Sequence, residues 1–133
     1  MAYIRFIVPV IHSDSTVETG LLQVAARLAG LNSVSSGDRA SLSDHLRWFS
    51  ANLNKPSRFN KTSSKGYYRR ATKGISWFKD KAHEHIRRMH DIKRIAERNG
   101  FSVSIVQETR IGYVVYEDEY QVVAEPFADT VTG

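Results

Sequence analysis

The sequence predicts an α+β fold. The expected domain runs β-α-α-(β)-α-β-β-β, with a mixed or antiparallel sheet of four to five strands and helices packed on one face. Three observations carry this. Residues 80–98 place Ala82, Ile86, Met89, Ile92 and Ala96 on one stripe, widened by Ile95, which puts one face of a long helix on a core. The runs 101–105, 113–116 and 120–124 alternate, or are β-branched and aromatic, and turn residues separate them. A length of 133 residues, 41% hydrophobic and 25% charged, fits one globular domain. Such a chain buries roughly two-thirds of its unfolded surface. The domain is expected over 1–128, with a basic loop at 55–73 and a flexible tail at 129–133.

Tyr3 to Val10 reads as the first strand, with Ile4, Phe6 and Val8 on one face and Arg5 on the other; Pro9 demotes its end to an edge or exit. Ser15-Thr-Val-Glu18 matches a capping box. A helix is therefore expected through Leu21, Val24, Ala25 and Leu28, ending at Gly30. Residues 32–40 read as a Ser/Gly-rich linker, and Ser41 to Asp44 as the cap of a second helix. That helix carries Leu42, Leu46, Phe49 and Leu53, and Lys55-Pro56 stops it. Trp77 and Phe78 fit a short strand entering the long helix. Asp80 is expected in the first turn of that helix, where a carboxylate suits the dipole, and Asn99-Gly100 at its end. Strand, helix, strand in this order suggests a crossover, right-handed if the two strands are parallel neighbours. Phe101, Val103 and Ile105 should point inward from the next strand, the first of a three-stranded meander that turns at Gly112 and at Glu117–Glu119.

Four segments resemble a family of small bacterial proteins with no established activity: YIRF, WFSANLNKPSRF, GISWFKDKAHEHIRRM and GYVVYEDEYQVVAEPF. Together they span most of the chain. The resemblance implies a single complete domain and transfers no catalytic residue.

Charge is the strongest functional signal. The net charge is +5, but residues 55–98 hold 14 Lys and Arg against 4 Asp and Glu, and the remainder holds 5 against 10. A basic face of this kind suits nucleic acid, an acidic protein or a self-complementary dimer. The candidate polyanion contacts are Arg58, Lys61, Lys65, Arg69, Arg70 and Lys73. Phe59, Tyr67 and Tyr68 among them offer stacking surfaces, and Arg87, Arg88 and Arg94 extend the patch along the helix. The plainer alternative is a solvated basic surface with its aromatics in the core. No helix-turn-helix, zinc-finger or RRM signature supports sequence-specific reading.

No catalytic or metal motif is present, and no cofactor is expected. The chain has no cysteine, which removes disulfides and thiolate chemistry and fits a reducing cytoplasm. No apolar run approaches a membrane span, and the N-terminal apolar stretch is too short and strand-like for a signal peptide. His83 and His85 lie two apart, so on a helix they diverge, and the HExxH spacing is absent. The acidic cluster Glu117–Glu119 offers hard oxygen ligands, but a polar hairpin tip explains it more simply. Trp48, Phe49, Trp77 and Phe78 read as core before ligand pocket. Arg5 calls for a carboxylate partner if buried, with Glu117 and Glu125 the nearest in prospect, or else marks a phosphate site. Three readings follow in order: a polyanion-binding protein; a protein-interaction factor, such as an inhibitor or accessory of a phage-defence or mobile-element system; and an enzyme on a phosphate-bearing substrate using Arg5, His85, His90 and Glu125.

Overall fold

The computed structural model describes residues 2–12, 15–53 and 74–125. The expected basic loop at 55–73 and the tail at 129–133 lie outside them. The elements are β1 (Tyr3–His12), β2 (Ser15–Gly20), α1 (Leu21–Ala29), α2 (Ser36–Asn52), β3 (Ile75–Lys79), α3 (His83–Arg98), β4 (Ser104–Glu108), β5 (Tyr113–Glu117) and β6 (Gln121–Glu125). Every strand pair is antiparallel. The α+β class with helices on one side of a sheet is as expected, with six strands in place of four to five.

The extra strand is β2. The expected capping box at Ser15–Glu18 is instead strand, and α1 starts only after Gly20. Thr16, Val17 and Thr19 are β-branched, and residues 13 and 14 alone separate the paired ends His12 and Ser15, so a tight hairpin outcompetes a helical turn. β1 accordingly runs past Pro9, which pairs with Glu18 where β2 is the only partner strand.

β1 organises the sheet. Tyr3 and Ile4 pair with both β3 and β4, and Ile7 pairs with both β2 and β4. A strand has two edges, so β4 takes one and β2 and β3 share the other. Arg5 and Phe6 pair with β4 alone, which leaves a split between β2 and β3 at those two residues. β3 continues the sheet to β6 and β5. The meander is therefore corrected: of its three strands β5 and β6 form a hairpin, and β4 sits across β1. The crossover is corrected as well, because β3 and β4 are not neighbours.

Ile4, Phe6 and Val8 face the helices. They pack with Leu21, Val24 and Leu28 of α1, Leu42 and Phe49 of α2, and Met89, Ile92 and Ile95 of α3. Trp77, Val122 and Ala124 form a smaller cluster with Ile111, which the β4–β5 connection brings over them. In β4 the expected inward set is displaced. The strand starts at Ser104; Phe101 and Val103 reach the main core ahead of it, and Ile105 is 44% exposed on this outer strand.

Helix ends follow local chemistry. α2 starts at Ser36, inside the expected linker, because Ser35 Oγ accepts the Asp38 N–H at 3.1 Å. α3 starts at His83, after Asp80, which instead accepts from the Ala2 N–H at 3.2 Å. It ends as expected: Gly100 has φ 94°, its N–H donates to Glu97, and Phe101 N–H donates to Ala96, which is a Schellman closure.

Of the 17 residues of α2 only Leu42 and Phe49 are buried, so few apolar anchors hold it. We expect Leu42→Ala to cost about 2–5 kcal/mol in urea unfolding, with hydrogen exchange in α2 accelerating more than in α3.

Candidate functional site

Of the candidate contacts, Arg58, Lys61, Lys65, Tyr67, Tyr68, Arg69, Arg70 and Lys73 lie outside the described residues. Arg87, Arg88 and Arg94 are on α3, and each has a carboxylate partner within the chain. Arg87 grips Glu84 with two nitrogens, at 2.6 and 3.1 Å, and reaches Asp91 at 3.3 Å. Arg88 donates to Glu84 at 2.8 Å while its guanidinium lies 4.5 Å from the Trp48 ring. Arg94 pairs with Asp91, Lys93 with Glu97, and Arg98 with Asp38. Spacings of three and four residues along α3 produce most of these pairs. The helix is rich in cations, but its own acids answer them.

The titrations follow. Hydrogen bonds from Arg87, then Arg88, hold Glu84 down at about 2. Arg98 holds the Asp38 carboxyl below the usual range, helped by Asn99 and Ser35. His45 lies between α2 and α3, with Nδ1 3.3 Å from Arg88 and Nε2 3.8 Å from Asp91. Burial, then the two neighbouring arginines, push its pKa down, outweighing the acids nearby.

The histidines part as expected. His83 is exposed, whereas His85 is buried and donates from Nε2 to the Asn52 carbonyl at 2.9 Å. Its ring stacks on Tyr120 at 4.5 Å and lies edge-on to Trp48 at 4.7 Å, so it ties the end of α2 to α3 and to the β5–β6 turn. His90 meets Phe6 edge-on. The acidic cluster is built into its hairpin. Asp118 accepts the Tyr120 and Gln121 N–H groups and the Tyr116 hydroxyl; burial would raise its pKa, but these bonds carry it lower. Glu117 pairs with the buried Lys79 at 2.6 Å, so it is committed to Lys79. Among the described residues, no group of three His, Cys, Asp or Glu is placed to hold a metal ion, and no helix is long and apolar enough to cross a membrane.

The sequence did not point to a cleft of about 490 Å³ at the split in the sheet. Arg5 and Phe6 lie along it, with Thr19, Gly20 and the first turn of α1 on one side and Gly74 to Ser76 of the β3 approach on another. Leu53 and Gly74, the residues that flank the basic segment, both line it. Arg5 also lies with its guanidinium 5.8 Å from the Trp77 ring. Of the four residues named for an enzyme, Arg5 lines the cleft and His85, His90 and Glu125 do not.

A depressed carboxyl pKa stabilises the fold above its unfolded value and loses that contribution as pH falls through the folded one. The stability advantage of the wild type over Glu84→Gln should therefore be full above pH 4.5 and vanish as pH falls to about 2. For His45 the NMR titration midpoint should lie below 6.5. No known protein family, curated protein or solved structure matches the chain.

Proposed function

We propose that the protein is a small basic binding protein that engages nucleic acid or another polyanion, with residues 55–73 as its principal contact. The observation that carries this reading is the segregation of charge along the sequence. Residues 55–73 hold seven Lys and Arg and no Asp or Glu. The cations of α3 are matched to carboxylates of the chain. A segment of cations with no acid of its own in sequence suits a phosphate backbone, whose counterions it would release. Phe59, Tyr67 and Tyr68 add faces on which unpaired bases stack. A chain without cysteine suits a cytoplasmic setting for this role. Kinship with the small bacterial family is proposed on the four matching segments alone and adds no activity to the reading.

The enzyme reading loses support, because its four residues do not gather in the cleft. Binding to single-stranded and double-stranded DNA and RNA should be titrated from low to physiological salt. Arg69→Ala with Arg70→Ala should weaken binding and reduce the slope of log K against log salt by about 2, from ~0.9 per phosphate contact. Arg87→Ala with Arg94→Ala should reduce it less. Absence of binding at low salt would sink the proposal and turn the basic segment toward an acidic protein.

A further inference from the structure

α2 is held to α3 by few contacts, and one of them depends on a proton. Leu42 and Phe49 are the buried residues of α2, against five in α3. Beside them the seat of α2 is polar and aromatic, with Arg88 of α3 at its centre. Arg88 Nε donates to Glu84 at 2.8 Å, the guanidinium lies 4.5 Å from the Trp48 ring, and Nη1 lies 3.3 Å from His45 Nδ1. A guanidinium has donors and no acceptor. The contact with Nδ1 is therefore a hydrogen bond only while that nitrogen is bare. His45 is then neutral, with its proton on Nε2, which faces Asp91 at 3.8 Å. Protonation at Nδ1 would set an N–H against an N–H of a permanent cation.

The groups around His45 give that clash its weight. From α3 it faces the cations Arg87 and Arg88 and the acids Glu84 and Asp91; from α2 it faces Asp44. The acids are already engaged: Glu84 by Arg87 and Arg88, Asp91 by Arg87 and Arg94, and Asp44 by Arg47. The His45 side chain is only 13% exposed, so water does little to stabilise an added charge.

We propose that His45 is an acid-sensitive latch of α2: neutral, it accepts from Arg88 and seats the helix on α3; protonated, it repels Arg88 and loosens α2 while α3 stays packed. The latch does not depend on residues 55–73 binding a polyanion. Burial, then Arg88 and Arg87, hold the His45 pKa below the ordinary 6.5 in the seated helix, and a loosened α2 returns it to that value. The seat is therefore at full strength above pH 6.5 and weakens as pH falls from there through the lower midpoint. Loosening reaches the far end of α2 as well, where the Asn52 carbonyl accepts from His85 and Leu53 lines the cleft.

Native-state hydrogen exchange of the full ¹⁵N-labelled chain tests this, with rates corrected for the intrinsic pH dependence of exchange. From about pH 7.5 to about pH 5 protection in α2 should fall several-fold, and protection in α3 should hold. His45→Asn places Oδ1 where Nδ1 was, keeps an acceptor for Arg88 and does not titrate, so its α2 protection should be flat over the same range. His45→Lys carries a cation throughout, and its α2 should be as loose at the upper pH as that of the wild type at the lower. Wild-type α2 protection that does not change, α3 protection that falls in step with α2, or a fall that persists in His45→Asn would each overturn the proposal. The last would place the titrating contact elsewhere, with His85 at the end of α2 the next to substitute. Should His45→Asn fail to fold, wild-type α2 protection in His45→Lys at the upper pH overturns it.

Discussion

β1 pairs with three strands, and the rest of the structure depends on how its two edges are shared. One edge is filled by β4 from Tyr3 to Ile7. The other must serve β3 at its beginning and β2 from Ile7 onward. Both run antiparallel to β1, but β2 ends opposite Ile7 and β3 pairs only with Ile4 and Tyr3, so the shared edge breaks at Arg5 and Phe6. Because β2 runs straight into α1, the same arrangement sets a helix start beside the break. Because α2 ends near Leu53 and β3 starts after Gly74, it also sets both flanks of the basic segment there. Cleft, helix terminus and the flanking residues Leu53 and Gly74 thus come together from one pairing constraint.

Electrostatics divides the chain along a different line. α3 satisfies its cations locally, through a ladder in which Glu84 serves Arg87 and Arg88, and Asp91 serves Arg87 and Arg94. Exposed pairs of this kind add little to stability. Their larger effect is to cancel the field that the helix would otherwise project. Residues 55–73 carry seven cations and no acid, and the rest of the chain then holds 12 Lys and Arg against 14 Asp and Glu. The whole positive balance therefore belongs to one segment.

The legible parts of the fold were those fixed by local chemistry. The α3 stripe, the Gly100 closure and the β5–β6 hairpin follow from periodicity and glycine geometry, which neighbours in sequence determine. What failed was pairing at a distance. The Ser15–Glu18 motif satisfies a capping box on paper, but β1 offers it a strand partner residue by residue, and the ladder is worth more than one reciprocal cap. β4 was placed next to β5 because sequence neighbours usually pair, whereas β1 had an edge to fill. Among site residues, Arg5 stood out as a charge in an apolar strand. Thr19 and Gly20 did not, because nothing in their own neighbourhood shows that a sheet will part in front of them.

The start of α1 shows how packing can hold a helix end that no side chain caps. Ser35 closes α2 with a side-chain oxygen, a contact whose loss typically costs ~1 kcal/mol. α1 has Gly20 at the same position and forgoes that stabilisation, although space beside Gly20 would accept a capping side chain. Burial of Leu21, Val24, Ala25 and Leu28 in the main core holds the helix without it. The uncapped end is therefore tolerated by packing. Its first turn and the Arg5 side chain both line the cleft at the split in the sheet.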